Sequence, residues 1–440
     1  MEALLLLGLL FGLIFLRMPV PFAMLAASVI FIVIQQVTGA SPLFSAVGLK
    51  IISQRVTPSL ESFPLLAIPL FVFAGNLLNV SGIADRIFTF AKTLVAHIHG
   101  GLAHVNILAS IVFSGMSGVA QADAAGLGTI EIKAMKDAGF EKPFSAAVTA
   151  ASSIIGPIIP PSVIMVIYAV LSGESIARLF LAGIVPGLFL GFVLMVLIYF
   201  MAVSGKVHSP VAPRATFREV VIAGWRALPG LLAPILLVSG LLLGVATPTE
   251  LGAIVTVYAM ALGALSREMS FKDVLDAMRA TTFTIGAMVF IIGCAAPISW
   301  LISVLNVPET LQHALLSISD NPIVLLLMIN VMLLVAGLFM ETTAILLIGV
   351  PTLLPLIEHI GMDTTQFGVM MIFNLLIGAV SPPFGVILFI MMDIAKISYG
   401  KLIKAMMPFY LPIVITLIVI TFFPAITLTL PDLVAGVSSR

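Results

Sequence analysis

The chain has 440 residues, 61% hydrophobic and 9% charged, and its 20 Lys and Arg balance its 20 Asp and Glu. So little charge cannot cover a soluble surface, and a net charge of zero gives no electrostatic reason to expect a nucleic-acid partner; the composition is that of a polytopic protein of the lipid bilayer. The lone cysteine, Cys294, excludes disulfides within the chain and a cysteine metal cluster.

At roughly 20 residues per crossing there is room for about ten spans. The opening run Glu2–Leu16 has no basic lead and no small-residue cleavage site, so it reads as a retained helix, not a signal peptide. Full spans are expected near Leu4–Leu16, Val20–Ile34, Phe63–Val80, Phe144–Leu171, Leu179–Val203, Leu228–Ala246, Leu251–Leu265, Thr281–Leu305, Phe367–Ile394 and Ala405–Leu430. Two regions differ. Leu102–Phe113 and Ala124–Met135 flank the polar stretch SGMSGVAQAD, and Pro322–Leu338 and Thr342–Ile357 flank FMETT. Short apolar arms around a polar tip predict re-entrant helical hairpins, which a membrane tolerates where they are buried in protein or face water.

With ten spans and two such hairpins, 16 basic residues fall on one side. The other side holds Lys50, Arg55, Arg178 and Arg440. Basic residues stay cytoplasmic, which predicts that both termini face the periplasm. Shifting the sequence by 222 places Gly115 on Gly337, Gly156 on Gly378, and Pro160–Pro161 on Pro382–Pro383. The expected fold is therefore an all-α polytopic membrane protein built as an inverted repeat. Residues 1–205 form the first repeat, with a hairpin at about 102–135 and a Pro-Pro-broken helix at about 144–171. A cytoplasmic connector, 206–227, leads to the second repeat, 228–440, with a hairpin at about 322–357 and a broken helix at about 367–394. Secondary transporters use this plan, and their sites lie at the broken helices near the midplane.

Proline removes a backbone donor and stops the helical ladder, freeing carbonyls to ligate a cation. Gly156 and Gly378 let the backbone turn sharply there. Oxygen-rich tips and breaks suit a hard cation, so a Na⁺ set is expected from Ser114, Gly115, Ser117, Gly156, Ile159, Gly337, Thr342, Thr343, Gly378 and Ser381. Substrate contacts are expected from Ser117, Gln121, Asp123, Ser153, Glu341, Thr342 and Asn374. Asp123 and Glu341 stand out because an acidic residue at membrane depth is costly. Glu250, Asp85 with Arg86, and Asp393 with Lys396 read as interfacial. No catalytic constellation, zinc pattern or phosphate loop is present, so the chain is not expected to be an enzyme or to hydrolyse ATP.

The segments SGMSGVAQADAAGLGTIEIKAMKDAGF with IIGPIIPPSVIMVIY, and LFMETTAILLIGVPTLLP with IGAVSPPFGVILF, resemble the large membrane (DctM-like) subunit of tripartite ATP-independent periplasmic (TRAP) transporters. The resemblance runs along essentially the whole chain. It implies an elevator-type scaffold and transport domain, Na⁺ as coupling ion without an organic cofactor, and a small-molecule carboxylate as cargo. It also implies two partners, a small four-helix membrane subunit and a periplasmic substrate-binding protein. Sialic acid is the first expected substrate and a C4-dicarboxylate the second. Family members often have Asp where this chain has Glu341. A divalent-anion/Na⁺ symporter working without a binding protein would share the architecture, but its tips usually resemble Ser-Asn-Thr, which neither tip here does.

Overall fold

The computed structural model describes residues 2–39, 42–207, 210–266 and 268–438, and the side chains of Ser45, Ser117 and residues 435–438 fall outside that description. Arg267 and Arg440, which enter the charge count above, lie outside the described residues. Every regular element among the described residues is helical. The N-terminal part comprises α1 (Glu2–Phe15), α2 (Val20–Thr38), α3 (Pro42–Val47), α4 (Lys50–Leu60), a 3-10 turn at Phe63–Leu66, α5 (Ala67–Val80) and α6 (Ile83–Val95). Then come α7 (Leu102–Ser117), α8 (Ala120–Ala125), α9 (Leu127–Asp137), α10 (Lys142–Ser153), α11 (Val163–Ser172) and α12 (Ile176–Val203). The second half holds α13 (Phe217–Leu242), α14 (Pro248–Ser266), α15 (Phe271–Val304) and α16 (Val307–Leu316). It ends with α17 (Pro322–Phe339), α18 (Thr342–Ile360), α19 (Thr364–Ala379), α20 (Val386–Ala395), α21 (Tyr399–Phe422) and α22 (Ala425–Ser438).

Nine helical stretches among the described residues are long and apolar enough to cross a membrane. Their outer faces carry large exposed apolar side chains such as Phe192, Val257, Phe283 and Leu411. A lipid environment solvates such side chains, whereas water would not. The larger apolar core joins α5–α14 and α17–α21, with Ala277 of α15 and Leu315 of α16. A smaller one packs α1 and α2 against the second half of α15.

Both expected helix breaks are present. α10 stops at Ser153 and α11 resumes at Val163; α19 stops at Ala379 and α20 resumes at Val386. Both proline pairs are cis. Three of the differences from the sequence expectation bear on the architecture. First, α13 begins at Phe217, inside the expected connector. The Thr216 hydroxyl accepts from the Glu219 backbone N–H, and the Glu219 carboxylate accepts from the Thr216 N–H, so a capping box starts a helix in polar sequence. Second, the last span ends at Phe422. Pro424 disfavours helical backbone at Phe423, and α22 forms separately, against α12. Third, the arms of the second hairpin, α17 and α18, have 18 and 19 residues, long enough by themselves to cross.

Candidate functional site

The tip of the first hairpin lies between α7 and α8. Gly118 adopts φ +65°, a left-handed turn that glycine takes without strain. Its carbonyl accepts from the Val163 N–H at 3.4 Å, which ties the tip to the first helix break. A Cβ at Gly118 would sit 2.4 Å from the Pro161 carbonyl oxygen. Asp123, on α8, is 3% exposed. A Cβ at Gly156 would lie 1.9 Å from its carboxylate oxygen, so the acidic side chain rests directly over the break. Within the break the Ser162 hydroxyl donates to the Pro157 carbonyl and accepts from the Met165 N–H, which caps α11.

At the second hairpin the chain turns through Met340 and Glu341. The Glu341 carboxylate accepts from the Thr343 and Ala344 N–H groups at 2.9 and 3.2 Å and from the Thr343 hydroxyl at 3.0 Å. Glu341 is thus the N-cap of α18, where an anion also meets the positive end of the helix dipole. The arm meets the second break glycine on glycine: a Cβ at Gly378 would lie 2.3 Å from the Gly337 carbonyl oxygen. Tyr410 and Tyr399 hydroxyls donate to the Val380 and Pro383 carbonyls at 2.8 and 2.9 Å, so two carbonyls of this break are already engaged.

The two tips share a cavity of about 610 Å³, lined by Gln121 and Val119 from the first and by Glu341, Thr342 and Thr343 from the second. α5 contributes Asn76 and Asn79 to its wall, and α15 contributes Thr284. Most of the lining is apolar; its polar groups are amides, hydroxyls and one carboxylate, and among the described residues no Lys or Arg lines it. A second cavity of about 340 Å³ lies behind the second tip and is bounded by Gln121, Gly337, Glu341, Thr342 and Gly378.

The expected substrate residues therefore divide. Gln121, Glu341 and Thr342 line the cavity. Asp123 belongs to the contact between tip and break. Ser153 is buried and its hydroxyl donates to the Ala150 carbonyl, while the buried Asn374 amide donates to the Asn330 carbonyl and side chain on α17. Of the expected cation set, Ser114 and Gly115 lie at the end of α7, and the buried Ser114 hydroxyl donates to Ile111. Gly156 and Ile159 lie in the first break, and Gly337, Thr342, Thr343, Gly378 and Ser381 lie at the second tip and break. The Ser117 side chain, expected in both sets, lies outside the described residues.

Sequence reasoning passed over Asn76 and Asn79. Their spacing in FAGNLLNV places them on one face of α5, and two amides in an apolar span were the available signal. It also passed over Glu131, which is 1% exposed on α9, the second arm of the first hairpin. From the hairpin's first arm, Asn106 on α7 donates to Thr149 and accepts from Ser152, both on α10, at 2.7 and 2.8 Å, a fully buried polar contact.

Residues 7–426 match the family model described as "Tripartite ATP-independent periplasmic transporter, DctM component". Over 426 residues the chain is 40% identical to the sialic acid TRAP transporter large permease protein SiaM of Vibrio cholerae, covering 97% of each chain. It is 34% identical to the C4-dicarboxylate TRAP transporter large permease protein DctM of Pseudomonas aeruginosa, covering 89% of this chain and 91% of that one. Among solved structures, the Alcanivorax borkumensis YdaH transporter, described as having an unusual topology, superposes with a TM-score of 0.65 at 15% identity, over 86% of this chain and 89% of that chain; this likeness concerns the fold. A full-length family match and relatives above 30% identity over nearly the whole chain place it among transporters, not enzymes: the chain belongs to the DctM component family, the large permeases of tripartite ATP-independent periplasmic transporters.

Proposed function

We propose that this chain carries out Na⁺-coupled uptake of a carboxylate-bearing organic solute across the bacterial inner membrane, with the solute delivered by a periplasmic binding protein. In this reading the two halves form an inverted repeat with periplasmic termini. The hairpins and broken helices move as an elevator against a scaffold, and a small four-helix membrane subunit joins that scaffold. The observation that carries it is the 610 Å³ cavity where both hairpin tips meet, whose mainly apolar wall carries amides, hydroxyls and a carboxylate but, among the described residues, no basic side chain. A carboxylate entering it needs its charge met by a bound cation, by hydroxyls and amides, and by helix N-termini. The donors at the junctions are hard oxygens, namely the Asp123 carboxylate over Gly156, the Ser114 hydroxyl, and the carbonyls and hydroxyls around Gly337, Thr342, Thr343 and Ser381. That donor chemistry fits Na⁺, and these residues would hold it.

Sialic acid is the first candidate cargo. The relative named as a sialic acid permease is 40% identical along nearly the whole chain. A wall of Asn76, Asn79, Gln121 and Thr284 also suits a solute rich in hydroxyl groups. A C4-dicarboxylate is the second candidate. The test is uptake into proteoliposomes holding this chain and its small subunit. Sialic acid should accumulate only with an inward Na⁺ gradient and a sialic-acid-binding protein outside. Equal uptake with choline in place of Na⁺ would remove the coupling ion from the reading. Strong uptake without any binding protein would favour a self-sufficient symporter.

A further inference from the structure

A separate groove lies on the opposite functional footing from the transport cavity. It has a volume of about 830 Å³ and is formed by α6, the segment before α13, and the first turns of α13. Its floor is fixed by backbone contacts. The Ala212 N–H donates to the Ala96 carbonyl at 3.1 Å, and a Cβ at Gly101 would lie 2.6 Å from the Pro210 carbonyl oxygen, so the connector is pressed onto the end of α6. Arg86, Lys92, Arg214 and Arg226 line the groove, with Asp85 and Glu219 as its acidic members.

The charges are unevenly committed. Arg86 is paired with Glu268 at 2.7 Å, and the Glu219 carboxylate is held by the Thr216 N–H and hydroxyl at 2.7 and 2.8 Å. Lys92, Arg214 and Arg226 have no ion pair among the described residues. The groove also opens at the N-terminus of a 26-residue helix, whose dipole favours an anion.

The level of the groove is set by the same helix. Its 26 residues rise about 39 Å, more than the roughly 30 Å of bilayer hydrocarbon, so its first turns reach headgroup depth. Phe217 and Trp225, 84% and 75% exposed, mark that boundary on α13. Three uncommitted cations around a walled groove at headgroup level, with the exposed apolar side chain of Ile222 in its wall, match a phosphate on a glycerol carrying acyl chains.

We propose that this groove binds the headgroup of an anionic phospholipid, with Lys92, Arg214 and Arg226 meeting its phosphate and the lipid bridging α6 to α13. The shared chemistry is an anionic phosphate ester, and the headgroup depth of the groove with apolar Ile222 in its wall favours the lipid over a free anion.

Native mass spectrometry of the detergent-purified protein, titrated with phosphatidylglycerol or phosphatidylethanolamine, tests this. Wild-type protein should retain phosphatidylglycerol in preference to phosphatidylethanolamine. At about 1 kcal/mol per basic residue, or roughly five-fold, Arg214→Gln with Arg226→Gln should weaken phosphatidylglycerol retention about 25-fold. Arg214→Lys with Arg226→Lys should keep most of it, and Lys401→Gln with Lys404→Gln should leave it unchanged. Equal retention of both lipids would overturn the proposal, as would an equal loss in the Lys401/Lys404 variant. Displacement of the lipid by equimolar inorganic phosphate would reassign the groove to a free anion and also overturn it. Retention is read without transport, so failure of the transport reading leaves this test intact.

Discussion

The glycine-on-glycine contact at the second junction gives a sharp perturbation, Gly378→Ala. The new Cβ would lie 2.3 Å from the Gly337 carbonyl oxygen and 2.5 and 2.8 Å from that residue's carbonyl carbon and Cα. Real Cβ atoms essentially never approach closer than 3.0 Å, so α17 and α19 must part by at least the difference between 2.3 and 3.0 Å. No flexible side-chain end can yield, because every blocking atom is backbone. Overpacking of this kind costs typically about 1–3 kcal/mol. The opposing gain, alanine's better helix propensity, is at most about 1 kcal/mol. Gly378→Ala should therefore unfold at a lower temperature in detergent and lose most uptake. Gly400→Ala is the control, since a Cβ there meets nothing within 4 Å. If Gly378→Ala matches Gly400→Ala in both melting and uptake, close approach at this junction is not a constraint.

Glu341 can be separated into its two candidate roles. Glu341→Ala should destabilise α18 by about 1 kcal/mol through loss of the N-cap and should reduce uptake; Glu341→Gln, which keeps a carbonyl acceptor, should restore melting in a thermal scan. If Gln also restores uptake, the side chain serves the helix and not the solute. Topology is tested by single cysteines in a Cys294→Ser background: Ala138→Cys should react with a membrane-impermeant reagent from the cytoplasmic side and His359→Cys from the periplasmic side. Reaction of both from one side would end the inverted-repeat reading.

The apolar runs and both proline breaks were legible because each is a local property: hydrophobic length, and a ring that cannot donate. What escaped depends on phase and on distant neighbours. The start of α13 was hidden because Thr216 and Glu219 make a helix start in sequence polar enough to read as connector. Ser153 and Asn374 lie beside the breaks in sequence, yet helical phase directs them to Ala150 and to Asn330, away from the cavity lining. Asn79, by contrast, sits in a span that looked merely hydrophobic. It reaches the first hairpin, where a Cβ at Gly126 would lie 2.9 Å from its amide nitrogen. A single sequence shows that an amide is present in a span, but not which helix it will face.

The two junctions align in sequence but are not chemically equal, and this bears on the cation reading. At the first, a buried carboxylate, Asp123, rests over Gly156. At the second, the corresponding crowding comes from the neutral Gly337 backbone, and Tyr410 and Tyr399 donate to the Val380 and Pro383 carbonyls. An anionic ligand attracts a cation far more strongly than a carbonyl dipole does, and low local dielectric magnifies the difference. If both junctions hold Na⁺, the first should bind it more tightly and depend on its charge. Asp123→Asn keeps the size and one oxygen but removes the charge. It should raise the Na⁺ concentration for half-maximal uptake by at least ten-fold, the equivalent of about 1.4 kcal/mol. Tyr410→Phe, which releases a carbonyl at the second junction without altering charge, should shift it by less than three-fold. Uptake by Asp123→Asn with an unchanged Na⁺ requirement would show that this carboxylate supports packing of the hairpin tip and takes no part in holding the ion.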